Sequence, residues 1–167
     1  MSPPTPWLIA AALTLTAPSG AHAWCEYRGQ LDARTTIARE FADSPWVVRA
    51  RVVSATDNWT DGSLGADEEP WTLYRVRVVE RFKGEPPAEV SVLTFRDSGG
   101  FYMDRGARAP DIGGEYLLFL QPTRDSPWLP DAARGGTVVN YSCGRSMRWA
   151  ETSAADRGEL ARLAGAR

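Results

Sequence analysis

Residues 46–55 read WVVRARVVSA. Side chains of an extended chain alternate between two faces. Trp46, Val48, Ala50 and Val52 therefore share one face, and Val47, Arg49, Arg51 and Val53 share the other. A wholly apolar face opposite one that carries two arginines is what a half-buried strand requires. A chain that opens this way needs further strands to cover that face.

The sequence supplies them. Residues 71–82 set Tyr74, Val76 and Val78 against Arg75 and Arg77, and Lys83-Gly84 and Pro86-Pro87 end the run. Residues 89–96 (EVSVLTFR) are short and β-prone. Residues 116–120 (YLLFL) are apolar on both faces, which predicts a strand covered from both sides. Residues 137–143 (TVVNYSC) give a fifth strand with Val139, Tyr141 and Cys143 on one side. Between them lie long polar or glycine-rich connections at 56–70, 97–114 and 122–130. Ala33, Ile37 and Phe41, four apart, predict a short helix over 32–41, stopped by Ser44-Pro45. A second helix is predicted over 153–164, with Ser153 as cap, Asp156 at its positive end and Leu160, Leu163 and Ala164 as its packing stripe. Gly158 weakens it. The fold class is therefore mainly β: a five-stranded OB-like antiparallel barrel with a short N-terminal and a C-terminal helix. A small β-sandwich is the alternative.

The front of the chain bears on compartment. Residues 1–23 contain no Asp, Glu, Lys or Arg, and WLIAAALTL at 7–15 precedes APSG and Ala21-His22-Ala23. This layout predicts a signal peptide over 1–23 and a mature domain over 24–167, secreted or periplasmic. The apolar run is shorter than the roughly 20 residues a bilayer demands, so no membrane span is expected after cleavage. Two cysteines remain, Cys25 and Cys143, and in an exported chain an even pair reads as a disulfide. Charge is mixed: 19 basic residues, all but Lys83 arginine, against 21 acids give a net −2. No basic stripe announces nucleic acid, so none is expected as a partner.

Catalysis finds little to work with. The single histidine, His22, leaves with the signal peptide, so Ser-His-Asp, Cys-His and His-zinc arrangements are not available to the mature chain. Asp104, Asp111 and Glu115 lie near one loop, but three carboxylates in an acid-rich domain are an ordinary coincidence. Residues 57–68 resemble a calcium loop at Asp57, Asp61, Gly62 and Glu68, yet Trp59 occupies a ligand place that an indole cannot serve. The reading there is a solvated acidic turn. No enzyme activity, metal or cofactor is expected. Trp59, Trp71, Phe101 and Tyr102 are loop or loop-edge aromatics, and loop packing is the usual role of such side chains.

Several stretches in order resemble one family, the netrin-module and tissue-inhibitor-of-metalloproteinases (TIMP-like) domains. They are residues 41–53 (FADSPWVVRARVV), residues 74–84 (YRVRVVERFKG) with its Phe82-Lys83-Gly84, Gly113-Gly114-Glu115-Tyr116-Leu117-Leu118, and Tyr141-Ser142-Cys143. The resemblance spans residues 25–143 and implies the same barrel. It also implies an activity, because members of the inhibitor branch chelate a protease's zinc through the amine and carbonyl of a first-residue cysteine. This chain departs from that pattern. Trp24 precedes Cys25 where the inhibitors open with Cys-x-Cys, and Ser98-Gly99-Gly100 stands where the family tends to carry Cys-Gly. The resulting expectation is an exported, non-catalytic interaction domain with an unknown protein or cell-envelope partner. The alternative is a metalloprotease inhibitor acting through its N-terminal segment. The contact residues expected are Trp24, Cys25, Glu26 and Tyr27 together with Gly99, Gly100, Phe101 and Tyr102, two segments that the family geometry would bring close together.

Overall fold

A computed structural model describes residues 25–31, 33–62, 64–65, 68–96, 100–127 and 129–166. In chain order the strands are β1 (Glu26–Tyr27), β2 (Gln30–Leu31), β3 (Trp46–Asp57), β4 (Trp71–Lys83), β5 (Glu89–Phe95), β6 (Asp104–Arg105), β7 (Ala109–Pro110), β8 (Glu115–Pro122), β9 (Thr137–Val139) and β10 (Met147–Arg148). Helix α1 (Ile37–Asp43) precedes β3, and α2 (Ala154–Gly165) ends the chain.

Five strands close a ring in the order β3-β4-β5-β9-β8, with β8 returning to β3 and β10 added outside β8. The barrel is the expected one, with one correction. Its strands are not antiparallel throughout: β5 and β9 run parallel, touching in register only at Val92↔Thr137. A ring with an odd number of strands cannot alternate direction at every step, so one neighbouring pair has to be parallel. Three register shifts along the β3–β4 pair bend these long strands around so small a barrel.

The barrel interior holds Val48, Ala50, Val52, Tyr74, Val76, Val92, Tyr116, Leu118 and Leu120, all nearly or fully buried. A second layer sits outside. Val47, Leu117 and Phe119 point away from the interior and are buried under Ile37 and Phe41 of α1 and Leu160 of α2. The second apolar face of residues 116–120 is thus accounted for by two helices, as is the burial of Val47.

The predicted helix over 32–41 begins later. Thr36 caps α1, its hydroxyl accepting from the Arg39 N–H at 3.2 Å. Ala33 stays outside the helix, because two β-branched threonines before Ile37 favour an extended entry. At the other end Lys83 donates to the Phe41 and Ala42 carbonyls at 2.6 and 2.9 Å, a cation on the negative end of α1. Gly84 follows with φ +72°, and a Cβ there would come within 2.5 Å of the Pro45 carbonyl oxygen. These contacts give Phe82-Lys83-Gly84 a physical reason: the lysine fixes α1 and only glycine clears the turn beside it. Ser153 caps α2 as expected, accepting from the Asp156 N–H at 3.1 Å.

The last predicted strand is shorter than 137–143. After Val139 the chain turns, Gly144 N–H donating to the Tyr141 carbonyl at 3.1 Å. This turn delivers Cys143 to Cys25, and the two form a disulfide with Cα atoms 5.9 Å apart. Among the described residues no helix is long and apolar enough to cross a membrane. The expected signal segment, residues 1–23, lies outside the described residues.

Candidate binding groove on the outer barrel face

The expected contact residues separate into three groups. Trp24 and Gly99 lie outside the described residues. Cys25 is bridged to Cys143, Glu26 is exposed, and Tyr27 is buried, its ring 4.9 Å from that of Tyr141 and its hydroxyl bonded to Asp43. Phe101 and Tyr102 are packing groups. Phe101 stands edge-on to Tyr116 at 6.3 Å, and Tyr102 lies 4.4 Å from the Arg96 guanidinium. Gly100 allows this packing, since a Cβ would come within 2.6 Å of the Phe95 carbonyl oxygen. Among the described residues, Tyr27 and Tyr102 lie near opposite ends of β3. Tyr27 is held by Asp43, just before β3 begins, whereas Arg96 beside Tyr102 bonds Thr72, whose register partner is Asp57 at the end of β3.

What closes that second end is a polar plug. Arg96, whose side chain is 5% exposed, bonds Asp104, the Tyr74 hydroxyl at 3.0 Å and the Thr72 hydroxyl at 3.0 Å. Its guanidinium lies between Tyr102 and the Trp59 ring at 5.0 Å, and Arg108 covers Trp59 further out at 5.8 Å. Beside it Tyr116 donates to Asp111 at 2.9 Å, where Arg105 and Arg148 also converge. Burial by itself raises the Asp111 carboxyl, but its bonds from Arg105 and Tyr116 and the Arg148 charge outweigh burial and hold it below the ordinary carboxylate range. Glu115 is likewise lowered by bonds from Arg51 and Arg49. The three acids that sequence placed near one loop are therefore each paired with arginine. Asp57 is occupied too: it accepts from the Trp59 and Thr60 N–H groups at 3.1 and 2.9 Å, the turn geometry of an Asx residue. Among the described residues no three potential ligands gather for a metal.

Among the described residues a groove lies elsewhere. On the outer face of β4 and β5 it runs, with a volume of 1330 Å³, between the β3–β4 loop and the β8–β9 loop. Half-buried Trp71, Phe95 and Val138 line it, packed against a small outer core of Leu73, Leu93, Leu129 and Ala133 that is itself buried. Trp71, Leu93 and Phe95 face outward because their neighbours Tyr74 and Val92 fill the interior, and the pleat alternates. Each loop is tied at its base. Asn58 accepts from Trp71 N–H at 2.9 Å and donates to the Glu69 carbonyl at 3.1 Å, pinning the first loop. Thr123 N–H donates to the Gly136 carbonyl at 3.0 Å, closing the second. Glu68 and Glu69 stand on the first bank, and Arg124 and an Arg134–Asp131 ion pair of 2.8 Å on the other.

No protein-family model and no curated protein sequence matches this chain. The groove has to be read from its own chemistry. Its volume exceeds the roughly 300–1,000 Å³ of a typical small-molecule pocket, and it sets half-buried apolar side chains between polar banks, the composition of a contact surface. Sequence reading singled out only Trp71 of these. A signal for the rest existed: Leu93 and Phe95 occupy the outward positions of β5, where a solvent-facing strand carries polar groups.

Proposed function

We propose that this chain is an exported, non-catalytic binding domain of the TIMP-like type that engages a protein or cell-envelope partner through the β4–β5 groove. The observation that carries this reading is a groove over β4 and β5 in which Trp71, Phe95 and Val138 stay partly exposed between the β3–β4 and β8–β9 loops. Two further features support it. The carboxylates nearest one another are neutralised by arginines, and Phe101 and Tyr102 are committed to the barrel's plug. OB-like barrels use this same face and the two loops beside it to hold ligands. Export rests on the charge-free apolar front of the chain and the disulfide.

The test places a benzophenone amino acid at position 71 or 95 in the exporting cell, with Val79, 46% exposed on the far part of β4, as the control position. A discrete covalent adduct from 71 and 95 and none from 79 is expected. Equal labelling at all three, or none at 71 and 95, refutes the groove as the contact surface.

A second reading, a metalloprotease inhibitor, has one observation in its favour: the bridge to Cys143 gives Cys25 a fixed place on the barrel. Chelation requires Cys25 to be the first residue, so inhibition that survives acetylation of the terminal amine overturns that mechanism.

A further inference from the structure

Glu40 is fully buried on α1, where it meets the loop that carries Cys143. Its Oε1 accepts from the Thr35 hydroxyl and from the Arg145 N–H at 2.8 Å, while Oε2 is buried and has no protein donor. One terminal nitrogen of Arg145 bonds both Asp156 oxygens at 2.9 Å each, at the start of α2, while its Nε is buried without a partner and its charge acts on Glu40 in favour of the ionised form. Around this pair, Asp43 adds like charge from the next turn of α1 and is itself bonded by Tyr27 and Arg28. Arg39 lies over the Tyr27 ring, and Lys83 of β4 sits on the α1 carbonyls of Phe41 and Ala42. Gly144 completes the contact. A Cβ there would come within 2.7 Å of the Glu40 Cδ, so the carboxyl group presses directly on the backbone beside Cys143.

We propose that Glu40 is a proton-dependent latch between α1 and the 140–145 loop: the protonated side chain holds the loop and the Cys25–Cys143 bridge closed, and the ionised one eases their opening. The physical ground is the cost of burying a carboxylate with one oxygen unsatisfied, which exceeds that of burying the neutral acid. Burial raises the Glu40 carboxyl above its ordinary value, with the bonds from Thr35 and Arg145 and the Arg145 charge offsetting only part. Any opening that hydrates Glu40 returns it to that ordinary value. The closed form therefore binds the proton more tightly. Its extra stability is complete below the ordinary value and is lost as pH rises through the raised one. Cys143 lies exposed at the surface, so the event that the latch governs is within reach of a reductant.

The test measures the rate at which a water-soluble phosphine reduces the bridge, in the full exported chain and in Glu40→Gln, from about pH 4.5 to 8. Gln carries no titrating proton, so the wild-type to variant ratio cancels the pH dependence of the phosphine and of every other group. The ratio is expected to rise with pH by up to tenfold per unit, the slope of one proton, and then to level off. A flat ratio overturns the latch. Should Glu40→Gln fail to fold, the side-chain carboxyl of Glu40 is titrated by carbon NMR in the wild-type chain. A midpoint at or below the ordinary 4.5 overturns the proposal as well.

Discussion

Replacing Arg96 by Met is the most informative single perturbation of the barrel's plug. The change keeps much of the side chain's length and removes the guanidinium. Asp104, whose side chain is 12% exposed, loses its ion pair and keeps the Tyr74 hydroxyl as a neutral donor. Breaking a buried pair from one side typically costs 3–5 kcal/mol, because the remaining charge is left without compensation. Asp104 retains slight access to water, which points to the lower end, about 3 kcal/mol. At roughly 3 °C per kcal/mol for a domain of this size, thermal unfolding should fall by about 10 °C. The assay is equilibrium urea unfolding of Arg96→Met, Asp104→Leu and the double variant. The double variant leaves no orphan charge and should recover to within about 1 kcal/mol of wild type. A single variant that costs under about 1 kcal/mol, or a double variant no more stable than the single, refutes the claim that Asp104 is a buried charge held by Arg96.

Asp111→Asn tests the second half of the plug. The Asp111 carboxyl titrates below its ordinary value when folded, so its contribution is present above that value and is lost as pH falls through the folded one. The variant should be less stable at neutral pH, and its stability should fall less steeply than wild type's below about pH 4, as read by acid unfolding. Gly158→Ala should act in the opposite direction: a Cβ at Gly158 meets nothing within 4 Å inside α2, so about 0.5–1 kcal/mol of added stability is expected in urea unfolding. Cys143→Ser opens a loop of 118 residues and should cost about 5 kcal/mol by chain entropy, measured against the oxidised parent. Intact mass of the exported chain, before and after reduction and alkylation, should show loss of residues 1–23 and two masked thiols. A chain retaining its first residues contradicts the signal reading.

Much of the barrel was legible because it rests on local alternation. Residues 46–55 and 71–82 each declare an apolar face, and a residue's face is fixed by the pleat whatever the strand's partners are. The apolar run at 116–120 announced a strand covered on both sides, and the cap at Ser153 announced α2, since both depend on neighbours in the chain. The bridge was legible from count and compartment. The short strands β1, β2, β6, β7 and β10 were not, because two-residue ladders have no period to detect.

The candidate site was largely illegible in sequence. Phe101 and Tyr102 look like free loop aromatics until Tyr116 and Arg96 are seen against them, and Phe95 looks like core until the pleat turns it outward. Which carboxylates are neutralised depends on arginines up to 66 positions away, as Arg49 with Glu115 shows. Composition and periodicity by themselves pointed to a mainly β domain with two helices, a barrel before a sandwich, and to a paired cysteine bridge. Only the tertiary structure decided that β5 meets β9 in parallel, that the plug consumes Trp59 and Tyr102, and that a groove forms over β4 and β5. The reason is physical: alternation and capping are set by adjacent residues, whereas the pairing of distant side chains exists only once the ring of strands has closed.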